Sequence, residues 1–291
     1  MIIRPKPIPL TKVWGGDKLS NMYGFDLANI GEIWGISAHK SNSNKIISGQ
    51  FKGKTLRELY SNHRKYFGHY PDNEFPLLFK VIDAKSDLSV QVHPENDYAS
   101  IHENSYGKDE CWFILDVDKN SRIQIGHKAK NRDELYKAII NCSLEELLEY
   151  HSISVGDYFY ISSGKVHAIC KNTTLLEVSQ SSDITYRLYD YNRLDNGKLR
   201  ELHINKALDV IKTPDTIKIN EHDNKFFSFD IIDIKSEVRL SHKYGDYIYI
   251  IEGNGYINDE KISKGDFLVV TSSFKYKIEG NLRIALVNIT K

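Results

Sequence analysis

Short β-type runs dominate the first two thirds of the chain. They are rich in β-branched and aromatic residues, several alternate apolar with polar positions, and Gly, Pro, Asn and Asp separate them. This pattern predicts strands over residues 32–39, 77–84, 88–93, 111–117, 121–127, 157–162, 174–180 and 184–191.

Helical periodicity is confined to a few segments. Residues 54–68 and 201–212 each predict a helix. Residues 131–151 predict two, the second opened by Ser143 with Glu146 three positions on, a capping-box pattern. Many short strands with few helices favour a barrel or sandwich over a sheet of βαβ units.

A weak internal repeat extends this prediction. "GDYFYISSGKVHAI" begins at Gly156 and "GDFLVVTSSFKYKI" at Gly265; they align without a gap, and an apolar strand precedes each. Paired halves of this kind are typical of a jelly-roll barrel, so we predict a mainly β protein with two tandem cupin barrels. His167 aligns with Tyr276, which predicts a second, smaller barrel without a metal site.

The polar stretch over residues 213–225 predicts the domain boundary. We therefore expect a metal-binding catalytic cupin domain with helical segments over residues 1–215. A degenerate C-terminal cupin domain is expected over residues 216–291.

Charge and cysteine content narrow the function classes. Lys and Arg together number 39, and Asp and Glu together also number 39. The chain therefore has no surplus of basic residues that would indicate a nucleic-acid partner. No apolar run approaches the length of a membrane span, and the first residues lack a signal-peptide core. Three cysteines without a CxxC pair favour a reducing compartment, so we expect a cytoplasmic protein.

Candidate chemistry begins at "LSVQVHP", where Ser89, Gln91 and His93 share one strand face. Such a face looks either at water or into a polar cavity. Glu110 and His167, on other predicted strands, would complete a set of metal-type ligands if the fold brings them together. Two histidines and one carboxylate suit zinc and also non-haem iron.

A second polar group lies between residues 175 and 193. Glu177 and Arg187 form either an ion pair in the barrel wall or a general base with an anion clamp beside the metal. Lys108, two residues before Glu110, points to the same face and either binds a substrate oxygen or is solvated.

Other unusual residues have a packing interpretation. Residues 14–16 and 32–34, both containing Trp, are expected to close one end of the barrel. Cys111 and Cys170 neighbour proposed ligands, but strand alternation turns them away, so we interpret both as core thiols.

Several motifs together resemble type I phosphomannose isomerases, in their short bacterial form. In chain order they are "VWGG", "PLLFKVIDAKSDLSVQVHPENDYA", "GKDECWFIL", "VGDYFYISSGKVHAI" and "LLEVSQSSDITYRLYDYNRLDNGKLRELH". They cover most of residues 10 to 210, whereas the last quarter of the chain resembles the family's degenerate second cupin only loosely.

The resemblance implies a zinc enzyme that interconverts mannose 6-phosphate and fructose 6-phosphate through a cis-enediol. It implies one Zn²⁺ per chain, a small sugar phosphate as partner, and a monomer or homodimer. It assigns the zinc ligands to Gln91, His93, Glu110 and His167. It further implies an active-site arginine at Arg187, its acidic neighbour at Glu177 as candidate base, and substrate or phosphate contacts at Ser89 and Lys108.

Two other classes stay open at this point. An iron-dependent cupin oxygenase would use His93, Glu110 and His167, and a non-catalytic cupin would bind sugar without turnover. Among isomerases, glucose 6-phosphate is the alternative substrate. Glu177, Arg187 and Lys108 together favour an isomerase, because a barrel that only binds sugar does not need all three.

Overall fold

The computed structural model describes residues 1–216 and 225–290. Five α-helices lie in these ranges: α1 (Lys18–Tyr23), α2 (Leu56–Asn62), α3 (Asn96–Glu103), α4 (Arg132–Ile140) and α5 (Ile204–Val210). The strands of the described residues are β1 (Ile2–Ile3), β2 (Ile8–Gly16), β3 (Ile30–Ser37), β4 (Leu77–Ala84), β5 (Val90–Val92), β6 (Glu110–Val117), β7 (Arg122–His127), β8 (Leu148–Ser152), β9 (Tyr158–Ile161), β10 (His167–Ile169), β11 (Thr173–Gln180), β12 (Tyr186–Tyr189), β13 (Leu194–Asp195), β14 (Lys198–Leu199), β15 (Phe227–Ile234), β16 (Glu237–Leu240), β17 (Asp246–Ile257), β18 (Glu260–Ser263), β19 (Phe267–Val270) and β20 (Tyr276–Ile289).

The first barrel is built from two sheets. A six-stranded sheet has the order β2-β3-β4-β11-β6-β9, and a five-stranded sheet has the order β12-β5-β10-β7-β8. One apolar cluster joins them, with Trp112 and Leu175 from the first sheet packed with Ile125 and Ile169 from the second. This apolar cluster fills one part of the barrel interior, and the polar side chains that face inward are grouped in another part.

The second barrel is built on one seven-stranded sheet. Its order is β1-β19-β17-β20-β15, with β16 added to β20 and β18 to β17. Strand β1 comes from the start of the chain, and its Ile2 pairs with Val270 of β19. The two tandem cupin barrels expected from the sequence are therefore present, and the second barrel also takes a strand from the other end of the chain.

The internal repeat is visible in the backbone. Gly156 and Gly265 both adopt a left-handed conformation, with φ of 93° and 92°, which explains glycine at each turn. In each copy the next residue is an aspartate that accepts a hydrogen bond from a serine amide three positions earlier, at 2.8 Å for Asp157 and 2.9 Å for Asp266. Each turn then leads into a strand of four residues, β9 or β19.

The copies differ where the first carries metal-type ligands. His167 opens β10, and its counterpart Tyr276 opens β20. Glu110 opens β6, and Asp246 opens β17. Asp246 is buried and accepts a hydrogen bond from Asn288, so the second barrel fills this position with internal hydrogen bonds.

The strand predictions are confirmed, and one helix prediction is wrong. The second helix expected within residues 131–151 is only a 3₁₀ turn, Leu144–Leu147, followed by strand β8. Ser143 makes no side-chain cap there. The reason is tertiary: β8 pairs with β7, for example Tyr150 with Gln124, so sheet pairing outweighs the local helical pattern.

The other predicted helices are shorter than their patterns. Residues 54–68 form α2 and a 3₁₀ turn, Arg64–Phe67, and residues 201–212 form α5. Helices α1 and α3 were not predicted. Most of the predicted boundary, residues 217–224, lies outside the described residues. No helix within the described ranges has the length and apolar character needed to cross a membrane.

The two barrels share an apolar interface. The outer face of the six-stranded sheet, including Cys111, Phe113 and Val178, packs in one cluster with residues of the second barrel such as Phe267. Gly35 of β3 lies so close to the Phe267 ring that a Cβ at this position would overlap it. The interface therefore needs glycine at this point because a larger residue leaves no room for the ring.

We predict that Gly35→Ala lowers the free energy of unfolding by about 1–3 kcal/mol, because overpacking forces the two barrels apart locally. Urea denaturation measures this. The double variant with Phe267→Leu should recover part of the loss, since the two changes share one contact. A Gly35→Ala protein as stable as the wild type would contradict this account.

Candidate metal centre and active site

The polar face of "LSVQVHP" looks into the first barrel. Gln91, on β5, pairs with His167 on β10 on one side and with Arg187 on β12 on the other. Residues directly opposite one another on antiparallel strands project to the same face. Arg187, Gln91 and His167 thus form one row across the five-stranded sheet, and Ser89 and His93 are buried, so this face is turned into the barrel and not toward water.

Three of the predicted ligands meet in the barrel. The candidate ligand atoms of His93, Glu110 and His167 all lie within 4.8 Å of one another, and all three residues are buried. The two Nε2 atoms are 3.2 Å apart. Each lies 3.5 Å from a carboxylate oxygen of Glu110, His93 from Oε2 and His167 from Oε1.

Backbone carbonyls fix the protonation of both rings. Nδ1 of His93 lies 2.7 Å from the carbonyl oxygen of Ile184, and Nδ1 of His167 lies 2.9 Å from that of Lys165. A carbonyl only accepts, so Nδ1 carries the proton in each ring and Nε2 presents a lone pair. Burial, followed by the proximity of His93, lowers the pKa of His167 to about 3, which keeps its imidazole neutral.

This arrangement fits a divalent metal ion. Burial alone raises the pKa of Glu110, but Lys108 and His93 outweigh it and hold the pKa well below its usual value. Two lone pairs and a carboxylate therefore converge, and they repel one another unless a cation lies between them. The ammonium of Lys108 balances one side, 2.6 Å from Oε2 of Glu110. Oε1 accepts no hydrogen bond from any described residue and remains available to a metal.

Gln91 lies beside this cluster with its amide nitrogen inward. Nε2 of Gln91 is 3.3 Å from Nε2 of His167, while Oε1 accepts a hydrogen bond from the Ser89 hydroxyl at 3.3 Å. A half-turn of the amide would present the oxygen to a metal, and the Ser89 hydroxyl can donate or accept in either arrangement. Ser89 is itself buried and contacts the cluster through Gln91.

Lys108 and Glu177 continue the charged cluster away from the three candidate ligands. The Lys108 ammonium lies 3.1 Å from Oε1 of Glu177, so it bridges Glu110 and Glu177. Burial alone lowers the pKa of Lys108, but the two carboxylates raise it overall. Lys108 is thus a buried, charged ammonium and not a solvated one, and Glu177 pairs with Lys108 rather than with Arg187.

Lys80 belongs to the same buried charged cluster, and the sequence analysis missed it. Its ammonium is 3.6 Å from Glu177 and 3.0 Å from Asp183. Although burial alone lowers its pKa, Asp183 and the neighbouring carboxylates raise it well above the usual value. The signal was present in "LLFKVIDA", because a lysine in an otherwise apolar buried strand requires partners.

Glu32 links the buried ion pairs of Lys80 to Lys12 at the mouth of the barrel. It accepts a hydrogen bond from Nε1 of Trp34 at 2.7 Å and lies 3.8 Å from the Lys80 ammonium and 3.2 Å from that of Lys12. Trp14 and Trp34 are buried, as the packing interpretation expected. Glu32 does more than pack, since it connects the interior to Lys12 at the barrel mouth.

The two cysteines near the ligands are core thiols, as expected. Cys111 belongs to the apolar cluster between the barrels, on the face opposite the metal ligands, and burial raises its pKa. Cys170 is also buried, and burial raises its pKa to about 12. Neither thiol forms a thiolate near neutral pH, so neither contributes a metal ligand or a nucleophile.

Known proteins share this fold and sequence. A family model described as the catalytic domain of type I phosphomannose isomerase matches residues 10–111. Mannose-6-phosphate isomerase ManA of Bacillus subtilis is 46% identical over 212 residues, covering 72% of this chain and 67% of that protein. The mannose-6-phosphate isomerase of Streptococcus mutans is 36% identical over 296 residues, covering 94% and 93%. A crystal structure of mannose 6-phosphate isomerase from Bacillus subtilis superposes with a TM-score of 0.94 at 35% identity, covering 99% of each chain.

The fold and the site define a two-barrel cupin whose first barrel carries a cluster of metal-type ligands. The similarity extends over nearly the whole of both chains in two of these comparisons. The chain belongs to the type I phosphomannose isomerase family, and its enzyme class is that of a mannose-6-phosphate isomerase.

We predict that Glu110→Gln loses bound metal and turnover while the fold is kept, because the amide cannot supply the anionic ligand. Elemental analysis after dialysis and circular dichroism measure the two properties. Asp116→Asn is the matched control, since Asp116 lies on the same strand but is exposed and pairs with Lys18. Full metal content in Glu110→Gln would contradict the site.

For Lys80→Met we predict a loss of about 3–5 kcal/mol in the free energy of unfolding, because the buried carboxylates of Glu32 and Glu177 each lose one of their two ammonium partners. Lys18→Met removes an exposed pair and should cost at most about 1 kcal/mol. Chemical denaturation of both variants compares the two losses. Equal losses would show that the buried network contributes no more than a surface pair.

Proposed function

We propose that the protein interconverts D-mannose 6-phosphate and D-fructose 6-phosphate through a cis-enediol, with one Zn²⁺ held by Gln91, His93, Glu110 and His167. The observation that carries the metal assignment is the convergence of two Nε2 lone pairs and a buried carboxylate in a family of isomerases. When bound there, zinc would act as a Lewis acid toward the substrate's carbonyl and hydroxyl oxygens.

Proton transfer between C1 and C2 needs a base near both carbons. Glu177 is our candidate, because its carboxylate faces the barrel interior between two ammonium groups, those of Lys108 and Lys80. These cations hold the carboxylate in one position. The charged ammonium of Lys108 can also donate a hydrogen bond to a substrate oxygen as negative charge develops on it.

Arg187 supplies positive charge on the other side of the row. Its place opposite Gln91 puts its backbone roughly 10 Å from that of His167, two strand spacings away. It would hold the substrate's anionic part or stabilise the enediolate. Ser89, which we also assign to the substrate site, positions the Gln91 amide.

The proposal also includes the domain division, the cellular location, the substrate class and the oligomeric state expected from the sequence. We assign residues 1–215 to the catalytic domain and residues 216–291 to the degenerate second cupin. The three cysteines are free, which supports a cytoplasmic location. The substrate is a small sugar phosphate, and the chain works as a monomer or homodimer.

The test is an assay on mannose 6-phosphate, with fructose 6-phosphate detected through coupling enzymes. The protein is measured as purified, after chelation, and after reloading with zinc. Activity should disappear with the metal and return with zinc. Activity with iron and oxygen consumption would favour the oxygenase, and sugar binding without turnover in the loaded protein would favour a binding cupin. Preference for glucose 6-phosphate would correct the substrate.

For Arg187→Ala we predict that kcat/KM falls by about 10²-fold or more, because a preorganised cation is lost from the site. Bound zinc should be unchanged, since Arg187 is not a ligand. Elemental analysis of the variant checks this second point. A metal-free Arg187→Ala protein would show that Arg187 has a structural role.

A further inference from the structure

One turn of the first barrel is bonded to both histidines of the candidate metal centre. It consists of residues 162–165, which connect β9 to β10, and we call it the 162–165 turn. The carbonyl oxygen of Lys165 accepts the hydrogen bond from Nδ1 of His167 at 2.9 Å. The amide of Gly164 donates to the carbonyl oxygen of His93 at 2.9 Å. The two histidines, which lie far apart in the sequence, are therefore attached to one short piece of backbone.

The same turn is also attached to the strand that begins with Glu110. The residue before Glu110 is Asp109, whose carboxylate accepts a hydrogen bond from the Ser163 amide at 2.9 Å. It also accepts hydrogen bonds from the hydroxyls of Ser163 and Tyr160. The 162–165 turn thus contacts all three segments that carry the candidate ligands, so its position affects how the ligands lie relative to one another.

The direction of the Lys165 carbonyl also decides which nitrogen of His167 is protonated. While Nδ1 donates to this carbonyl, Nε2 presents its lone pair to the cluster. If the carbonyl turned away, Nδ1 would lose its acceptor, and nothing in this contact would keep the proton off Nε2 or the ring in its orientation. Metal binding by His167 therefore depends on the backbone of the 162–165 turn.

Residues 211–215, which follow α5, hold this turn from the side away from the ligands. The Lys212 amide donates to the Gly164 carbonyl oxygen at 3.0 Å. The Lys165 ammonium lies 2.9 and 3.0 Å from the two carboxylate oxygens of Asp215, and each of these two side chains is only 3% exposed. The ligand cluster described above includes neither Lys165 nor Asp215, so this ion pair can act on the cluster only through the backbone of the turn.

The barrel wall leaves space for this ion pair at Gly126 of β7. A Cβ on Gly126 would lie 2.9 Å from Oδ2 of Asp215 and 3.7 Å from the ammonium nitrogen of Lys165. The two charged groups are thus packed closely against the sheet that carries His167. Loss of one partner would leave the other charge buried and would release the Lys165 side chain from its present position.

We propose that Lys165 and Asp215 are positioning residues of the metal centre. Their ion pair holds the 162–165 turn so that the Lys165 carbonyl keeps the His167 ring in the orientation and protonation state that bind a metal. Residues 211–215 thereby contribute to metal affinity without supplying a ligand. The proposal rests on the function proposed above only for the presence of a bound metal ion.

A purely structural role is the competing explanation, in which the ion pair only attaches residues 211–215 to the first barrel. Loss of such an attachment would lower the stability of the metal-free and the metal-loaded protein equally, and the folded protein would bind metal as before. Loss of a positioning contact lowers the metal affinity of the folded protein itself. Stability and metal affinity therefore have to be measured separately.

The experiment compares Asp215→Asn, Lys165→Met and Lys165→Arg with the wild type. Asp209→Asn is the matched control, because it makes the same change at an exposed carboxylate of α5 that pairs with Arg132. Gly35→Ala is the control for lost stability, since it acts at the interface between the barrels. The Kd for zinc is measured by competition with a chromophoric chelator, at a temperature where each metal-free protein is folded. The visible absorption of the Co²⁺-loaded proteins reports on the arrangement of the ligands.

In Asp215→Asn and Lys165→Met the Kd for zinc should rise by about tenfold or more, as expected when a group that supports a metal ligand is lost. The Co²⁺ absorption should change in the same two variants. Lys165→Arg keeps the charge and should retain most of the affinity, and both controls should bind zinc like the wild type. If Lys165→Met does not fold, Asp215→Asn decides, because its amide keeps the shape of the carboxylate. An unchanged Kd and Co²⁺ spectrum in Asp215→Asn, or an equal rise of the Kd in Gly35→Ala, would overturn the proposal.

These measurements need no substrate, so they separate the positioning role from the proposed function. Zinc affinity that depends on Asp215, in a loaded protein that does not turn over mannose 6-phosphate, would keep the positioning role and reject the proposed function. Zinc-dependent turnover, with a zinc affinity that is insensitive to Asp215, would keep the function and reject the positioning role.

Discussion

The structure of the site depends on one constraint, that charge buried in a protein must be matched by opposite charge. Glu110 is fully buried, and an unpaired carboxylate there would cost several kcal/mol. The ammonium of Lys108 pairs with Glu110 and also with Glu177. Glu177 pairs in turn with Lys80, and Lys80 pairs with Glu32 and Asp183. The alternation ends at Lys12, near solvent. Each charged group holds the next in position, so the charged groups of this cluster are fixed relative to one another by the protein alone.

Local pattern predicted most of the strands, and it singled out three residues that cluster as metal-type ligands, because alternation along a strand indicates which side chains share a face. It predicted less well wherever distant pairing decides the outcome. Residues 148–152 carry a helical pattern but form β8, since an open edge of β7 is available. Lys80 was missed, and Glu32 was expected only to pack, for a related reason. A charged residue in a strand signals a partner, but which partner, and whether solvent reaches the pair, is known only after the strands are arranged in space.

The two barrels show what a repeated scaffold keeps and what it changes. The glycine turn and the strands that follow it are nearly identical in both copies, because they make the barrel close. The positions that carry metal-type ligands in the first copy hold Asp246 and Tyr276 in the second, where Asn288 and His242 donate hydrogen bonds to one carboxylate oxygen of Asp246. The outer face of the six-stranded sheet packs against the second barrel, so the second barrel covers this apolar face of the first barrel.

The pairing of β1 with β19 has a consequence for folding. Ile2 and Ile3 come from one end of the chain and their partners, Val270 and Val269, from near the other. During synthesis the first barrel can assemble while these two residues remain unpaired, and they must wait for the second barrel before the ladder forms. Contacts so distant in sequence form late, because the entropy of closing a long loop is paid first. The last step of folding therefore joins residues 2–3 to β19 of the second barrel, and a force applied at the first residues would open this two-residue ladder first.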